Sequence, residues 1–527
     1  MRASDQRRGS FSADPSRPGP DWVRDAVFYQ IFPDRFAASQ RVPKPGAVER
    51  WDAPPTTQGF KGGDLLGIAE HLDELRDLGI TALYLNPVFA SASNHRYHTF
   101  DYELVDPLLG GDAALRELLD SAHARGMRVI LDGVFNHASR GFWPFHHVLE
   151  NGAASPYRDW FYLDAEVRAG RRGLTAYPAA RPGELPGGAP ALGYQAWWDM
   201  PALPKLNHSN PEVREHIYGV AERWLRFGID GWRLDVPEEI DEPGFWEEFR
   251  RRCLAVNPDA YLVGEIWNPA PEWLVGRFDA LMNYPLAESI LSFTGAGRLD
   301  EALIARTPEY GRHVRAIDGP EFGRQLAGIM ATYPPELTSL QLNLLDSHDT
   351  PRFISLAGGD ATALRLAMLI QMTLPGAPCI YYGDEFGLEG REDPDCRRAY
   401  QWDPVKQDRG LRDFVAGLIS LRRSHPVLRR GRFELLTAEA SAVAYGMFDF
   451  EREGSVGRSM IVAVNAGDQP VRLDMQVGGL AGCHAEQVSW PGREWQTLFA
   501  PQPLERGSLV VELEAREGVA IEATPDY

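Results

Sequence analysis

The sequence predicts an α/β protein: a (β/α)8 barrel with an inserted subdomain after its third strand, followed by a C-terminal β-sandwich. Eight short apolar runs alternate with helical patterns before residue 390, as a parallel barrel requires. The third and fourth runs are separated by more residues than an ordinary βα connection contains. After Ser424 the pattern changes to short β-like runs with glycine-containing turns. These three observations define the predicted architecture.

The eight candidate strands of the barrel begin near Ala26, Thr81, Arg128, Gly231, Tyr261, Ala280, Leu340 and Pro378. The helix before the fourth strand has the clearest boundaries. Asn210 is a typical cap, Pro211 suits the first turn, and Gly228 suits the end. Apolar residues recur at helical spacing between Val213 and Leu225, so we expect this face to pack on the barrel.

The same patterns divide the chain into domains. We expect a disordered leader over residues 1–20, because this stretch is rich in Arg, Ser, Pro and Gly and lacks the apolar segment of a secretory signal. The barrel comprises residues 21–137 and 208–424, and residues 138–207 form the inserted subdomain, which is rich in Pro, Gly and aromatics. Residues 425–527 form the predicted β-sandwich.

Composition restricts the class of protein and its partners. No stretch approaches the roughly 20 consecutive apolar residues that span a bilayer, which predicts a soluble globular protein without a membrane partner. A formal charge of −20 disfavours nucleic acid, which needs a basic surface, and fits a neutral substrate better. The four cysteines lack metal-binding spacing and are expected to be buried small residues. We therefore expect cytoplasmic residence.

Four apolar segments that each contain a carboxylate carry the chemical signal: Asp132–His137, Gly231–Asp235, Val263–Trp267 and Leu345–Asp349. A strand buried on both faces is a short hydrophobic run, and barrels collect their functional groups at the C-terminal ends of such strands. We therefore expect Asp235, Glu265 and Asp349 to share one pocket.

In this order, the four segments resemble the conserved regions of the α-amylase family of glycoside hydrolases, and the resemblance extends to about Asp403. It implies a retaining reaction in which Asp235 is the nucleophile and Glu265 is the acid/base. Asp349 would be a third carboxylate that holds sugar hydroxyls. Retaining glycosidases place nucleophile and acid about 5 Å apart. Asp132 is expected to be structural.

Several other residues are expected at the substrate. Arg233 lies two residues before Asp235 on an extended strand, so both side chains point the same way, and we expect the guanidinium to keep Asp235 ionised. The resemblance implies that His137 and His348 hydrogen-bond the sugar in the cleaved subsite and that Tyr97 stacks on it. For Tyr97, a packing role in the core is the alternative.

The resemblance extends to the neighbouring subsites. Asp393 and Arg397 resemble a pair that contacts the next sugar towards the non-reducing end, with a surface ion pair as the alternative. Trp267 is expected to meet the sugar beyond the cleavage point.

One segment indicates a subgroup. Trp197–Asn207 resembles the segment that marks neopullulanases, cyclomaltodextrinases and maltogenic amylases, which act on cyclodextrins, pullulan and short maltooligosaccharides, often with transglycosylation. Two departures leave product preference open. Val236–Glu239 replaces the usual Val-Ala-Asn-Glu, and His98 stands where relatives generally carry Asp. The first strand begins near Ala26, which leaves no room for the β-domain that many relatives carry ahead of the barrel.

No cofactor is predicted, and calcium is not favoured. Relatives that bind calcium use Asn and Asp oxygens after the motif matched by Asp34–Phe36, but Ala37 and Ala38 follow here. Asp64 alone cannot supply the six to eight oxygens that calcium prefers.

Other activities on the same scaffold stay open. A glucan transferase or a trehalose-synthase-like isomerase would keep the same carboxylates. The intact acids argue against a catalytically inactive glycan- or partner-binding homologue. The preferred linkage, α-1,4 or α-1,6, and the oligomeric state are not determined by the sequence.

Overall fold

The computed structural model describes residues 19–44, 46, 48–178, 192–307, 312–450, 456–477, 480, 483–490 and 501–525. The predicted leader, residues 1–20, therefore lies outside the described residues except for its last two. Within the described ranges, no helix is both long enough and apolar enough to cross a membrane.

Eight parallel strands form the barrel, with strands numbered in chain order: β1 Phe28–Ile31, β2 Ala82–Leu85, β5 Arg128–Gly133, β6 Gly231–Leu234, β7 Tyr261–Gly264, β8 Ala280–Leu281, β9 Leu342–Asn343 and β10 Ala377–Tyr381. Their order in the sheet is β8-β7-β6-β5-β2-β1-β10-β9. A parallel bridge between Met282 and Leu342 brings the two edges together and closes the barrel. Each strand begins within two residues of its predicted start.

The α-helices pack mainly outside the barrel and span Pro33–Phe36, Leu65–Glu70, Leu72–Leu78, Gly111–Ala124, Trp143–Asn151, Ala165–Arg168, Pro211–Phe227, Phe245–Val256, Tyr284–Thr294, Glu301–Ile304, Gly319–Met330, Pro335–Thr338, Phe353–Leu356, Ala361–Thr373, Arg409–Ser424 and Val427–Arg430. The helix predicted before the fourth strand is confirmed. Asn210 caps it by accepting a hydrogen bond from the Glu212 amide at 2.8 Å, and Gly228 ends it with φ of 114°. Its apolar face is buried, with Trp224 fully enclosed.

Two irregular segments enclose the C-terminal end of the barrel. The first is a hairpin of β3 (Phe89–Ser91) and β4 (Thr99–Val105), which the sequence pattern did not predict. The second is the segment between β5 and β6, where the subdomain was expected. It leaves and rejoins the barrel at one place, because the Ala138 amide donates to Pro204 O at 3.1 Å and the Leu206 amide donates to Asn136 O at 3.1 Å.

The C-terminal domain consists of antiparallel strands: β11 Arg432–Glu439, β12 Ala442–Phe450, β13 Val456–Asn465, β14 Val471–Gln476, β15 Cys483–Gln487, β16 Gln502–Pro503, β17 Ser508–Leu513 and β18 Glu517–Pro525. Six form one sheet in the order β11-β12-β13-β18-β15-β16, and β14 pairs with β17. Leu473 and Val511 of the small sheet share a buried core with Ile461 and Ile521 of the large one. Two sheets thus pack face to face, as the predicted sandwich requires.

Candidate active site

The three predicted carboxylates meet at the C-terminal end of the barrel. Asp235 directly follows β6, Glu265 directly follows β7, and Asp349 lies in the loop after β9. The parallel hydrogen-bond ladder continues through the first two, because the Asp235 amide donates to Gly133 O at 3.1 Å and the Glu265 amide donates to Leu234 O at 2.9 Å. All three residues line one cleft of about 670 Å³.

Arg233 contacts three carboxyl groups of the site: those of Asp132, Asp235 and Glu265. Its Nη1 lies 2.8 Å from Asp132 Oδ1 and 3.0 Å from Asp235 Oδ1, and its Nη2 lies 2.8 Å from Glu265 Oε1. The guanidinium is fully buried. Because Asp235 and Glu265 are held by the two ends of one rigid planar group, their carboxyls lie side by side.

Val236 turns its backbone towards Glu265. Its φ and ψ are 35° and 54°, a left-handed conformation that is unfavourable for a β-branched residue. In this conformation its amide donates to Glu265 Oε2 at 3.2 Å. Strained backbone of this kind costs of order 1–3 kcal/mol and persists only where surrounding structure enforces it. No sequence pattern indicated this contact.

A hydrogen-bonded network supports the cleft beside Asp132. Asp132 Oδ2 accepts from the hydroxyls of Tyr84 at 2.9 Å and Tyr97 at 2.7 Å. The Tyr97 hydroxyl lies 2.5 Å from His348 Nε2, and the two rings are parallel, with an interplanar angle of 2°. Asp132 therefore orients the site residues Arg233 and Tyr97, which agrees with the structural role expected for it.

Two residues that the sequence did not identify as part of the site, Gln30 and Asn86, contact the His348 ring at Nδ1. Gln30 Nε2 and Asn86 Nδ2 lie 3.0 Å and 3.1 Å from His348 Nδ1. Both amide nitrogens can only donate, so Nδ1 accepts and a ring proton on Nε2 points towards Tyr97 and Asp349. Their positions could have identified them as site residues, because Gln30 lies in an otherwise apolar strand and Asn86 directly follows one.

The predicted pair Asp393 and Arg397 reaches the cleft. Arg397 Nη1 lies 3.1 Å from Asp393 Oδ1, its Nε donates to His348 O at 2.9 Å, and its Nη2 lies 3.4 Å from Asp349 Oδ1. Asp393 and Arg397 therefore form an ion pair, and this pair lies beside Asp349 in the cleft. Their contact with a sugar stays a prediction.

Burial controls protonation in the site. It raises the pKa of Glu265 to about 7, although the charge of Arg233 opposes the shift. It also raises the pKa of Asp235 well above its usual range, so Arg233 alone does not fix this carboxyl as ionised, contrary to our expectation. Burial alone would raise the pKa of Asp349 as well, but His348 and Arg397 hold it well below its usual range. The site thus contains a protonated acid and a permanently ionised one.

The remaining predicted residues lie at different depths. Trp267 lines the cleft and stacks on Tyr284 with centroids 3.8 Å apart. His137, like Arg233 and His348, is fully buried. Burial lowers the pKa of His137 to about 3, and its Nε2 finds no hydrogen-bond partner among the described residues. His137 is therefore a neutral imidazole at pH 7.

The residues considered for calcium are engaged by protein groups. Asp64 Oδ2 accepts from Lys44 Nζ and from the Ser39 amide, both at 2.9 Å. Asp34 Oδ2 accepts from the Lys61 amide at 2.8 Å. In the ranges that the structure describes, no three His, Cys, Asp or Glu side chains are grouped so as to hold a metal ion. Independence from calcium stays a prediction.

Comparison with known proteins assigns the family. A family model of the α-amylase catalytic domain matches residues 30–424. The chain belongs to the α-amylase family. A cyclomaltodextrinase of Geobacillus thermopakistaniensis (strain MAS1) is 41% identical over 463 residues, which are 87% of this chain and 71% of that protein. This α-amylase family member is thus a glycoside hydrolase, with the (β/α)8 barrel and C-terminal sheet domain predicted for it.

Two solved structures extend the similarity to the whole architecture. The crystal structure of Ttha1563 from Thermus thermophilus has a TM-score of 0.84 at 43% identity and covers 95% of this chain and 99% of that one. The native debranching enzyme of Nostoc punctiforme has a TM-score of 0.82 at 42% identity, with the same coverage. The domain arrangement of this α-amylase family member is therefore shared with solved relatives.

Proposed function

We propose that this enzyme hydrolyses α-1,4-glucosidic bonds of maltooligosaccharides and cyclodextrins by double displacement, with Asp235 as nucleophile and Glu265 as acid/base. The observation that supports this most is the Arg233 clamp. A guanidinium that holds both carboxyls side by side fits the separation of about 5 Å in retaining enzymes. Inverting enzymes instead keep their two carboxyls roughly 6.5–9.5 Å apart to admit a water molecule.

The proposed reaction has two steps. In the first, an Asp235 carboxylate oxygen bonds to the anomeric carbon while the Glu265 proton passes to the glycosidic oxygen, and the leaving sugar departs with that proton. In the second, water attacks the anomeric carbon, Glu265 takes the water proton, and the bond to Asp235 breaks. The raised pKa of Glu265, about 7, keeps its proton available for the first step. Asp349 stays ionised throughout and accepts hydrogen bonds from sugar hydroxyls.

Substitution of each acid tests the assignment. Asp235→Asn and Glu265→Gln are each expected to reduce turnover of maltotriose by several orders of magnitude, because each amide keeps the shape of the acid and loses nucleophilicity or the transferable proton. The native fold, followed by circular dichroism, should persist in both. Activity within tenfold of wild type for either variant would refute its role.

Product analysis tests the substrate. Chromatography of products from cyclodextrin, pullulan, starch and maltotriose should show faster turnover of cyclodextrin than of starch. Pullulan is included because one solved relative is named a debranching enzyme, which favours an additional α-1,6 activity. Transfer products that dominate even at low maltotriose concentration would instead favour the transferase alternative. Cytoplasmic residence and a neutral glucan as the partner stay predictions.

A further inference from the structure

Three aromatic rings extend in series from a buried histidine in the segment after β5 to the mouth of the cleft. The imidazole of His137 lies 5.0 Å from the Trp197 indole, with 12° between the planes. Trp197 in turn lies 4.7 Å from Trp198, with 17° between the planes. His137 is fully buried, whereas Trp198 is 68% exposed. The series therefore begins at the catalytic end of the barrel and ends in solvent.

The outer ring faces the substrate cleft. Trp197 and Trp198 line the same cavity as Asp235 and Glu265. Trp197, which lines the cleft, also carries a buried Nε1 that has no hydrogen-bond partner among the described residues. Buried polar groups are normally paired, so the Trp197 Nε1 atom indicates a polar ligand in the cleft.

The exposed position of Trp198 requires an unfavourable backbone conformation. Its φ and ψ are 51° and 31°, and the next residue, Asp199, has φ of 55°. Two successive non-glycine residues in the left-handed region are unfavourable. Backbone hydrogen bonds nevertheless hold the turn, with the Met200 amide donating to Trp197 O at 3.0 Å and the Trp197 amide donating to Leu203 O at 3.0 Å. Burial of the indole does not offset this cost, because most of its surface is exposed.

We propose that Trp198 is an outer sugar-binding platform, on which a glucose ring stacks beyond the sugars held at Asp235 and Glu265. This inference rests on the proposed function. Indole faces bind the apolar faces of sugar rings, and such stacking requires a fixed, solvent-facing ring. The ligands that gain from Trp198 are α-glucans long enough to reach from the carboxylates to the cleft mouth, or cyclic glucans that wrap across it. We expect maltose to be too short to reach both the carboxylates and Trp198.

Binding to an inactive enzyme tests the proposal. Calorimetry with Glu265→Gln, alone and combined with Trp198→Ala, measures affinity without turnover for maltose, maltoheptaose and β-cyclodextrin. We expect Trp198→Ala to weaken binding of the two larger ligands about tenfold, which is about 1.4 kcal/mol, and to change maltose binding less than twofold. Trp143→Ala in the same background is the matched control. Trp143 is 62% exposed in the same inserted subdomain but does not line the cleft, so no ligand should be affected.

A second variant separates binding from support of the turn. Trp198→Gly should bind the large ligands as weakly as Trp198→Ala. Its melting temperature should be equal to or above that of Trp198→Ala, because glycine adopts a positive φ without strain.

The outcomes are distinguishable. Unchanged affinity for maltoheptaose and β-cyclodextrin in Trp198→Ala, or an equal loss for maltose, would overturn the platform. Failure of the Glu265→Gln enzyme to bind any of the three glucans would instead refute the proposed function itself.

Discussion

Replacement of Glu265 by Gln should change how the stability of the enzyme depends on pH, as well as its activity. Burial raises the pKa of Glu265 from the ordinary 4.5 to about 7 in the folded protein. Between these two values the folded state keeps a proton that the unfolded state has lost. Stability therefore falls as pH rises through this window, and the contribution is complete only below the unfolded pKa. A glutamine carries no such proton, so Glu265→Gln should lack this dependence.

The size of the effect follows from the gap between the two pKa values. One pKa unit corresponds to about 1.4 kcal/mol, so a gap from 4.5 to about 7 corresponds to about 3 kcal/mol in the free energy of unfolding. The entropy of unfolding, about 2.1 cal/mol/K per residue, is about 1.1 kcal/mol/K for 527 residues. The melting temperature of Glu265→Gln minus that of wild type should therefore increase by about 2 to 3 °C from pH 5 to pH 8.5.

Differential scanning calorimetry of both proteins at the two pH values measures this difference. Contributions from groups that do not interact with Glu265 cancel, because they are common to both proteins, whereas Asp235, which shares Arg233 with Glu265, is measured together with it. The matched control is Glu272→Gln, which makes the same substitution at an exposed position. If the difference for Glu265→Gln were the same at pH 5 and pH 8.5, the carboxyl would not carry a raised pKa in the folded enzyme.

Three further predictions concern stereochemistry, metal and the cleft wall. If Asp235 forms a covalent intermediate, proton NMR of the first product from maltotriose should show the α-anomer; early β-anomer would mean direct attack by water. Because Lys44 and backbone amides engage Asp64, EDTA should leave activity and melting temperature nearly unchanged, and a loss restored by calcium alone would contradict this. Trp267→Ala should raise KM for maltotriose and reduce transfer to added glucose with a small fall in melting temperature, whereas a large fall with unchanged kinetics would identify Trp267 as a packing residue.

The barrel could be predicted from sequence because its signals are local. Strands buried on both faces are continuous apolar runs, so their starts were located within two residues. Caps such as Asn210 and stops such as Gly228 act within one helical turn. The carboxylates could be predicted because the C-terminal ends of all barrel strands converge, independently of the conformation of the connecting loops.

What the sequence did not reveal depends on contacts between distant segments. The β3–β4 hairpin contains neither a two-residue turn nor clear alternation, so pattern offered no signal for it. Gln30 and Asn86 support His348 across more than 250 positions of chain. The left-handed backbone of Val236 and Trp198 has no local signature, since neither residue type favours it. Such conformations are enforced by the surroundings of the site.

The charge balance beneath the cleft explains why a protonated acid is built into this fold. Arg233 carries one positive charge and contacts three buried carboxyls: Asp132, Asp235 and Glu265. Asp132 also accepts hydrogen bonds from two tyrosine hydroxyls, and its ion pair with Arg233 already offsets the one positive charge. Ionisation of both remaining carboxyls would then bury two uncompensated charges, which is costly. A proton retained by the pair Asp235 and Glu265 removes one of these two negative charges. The charge balance of the folded barrel therefore keeps the proton that cleavage requires.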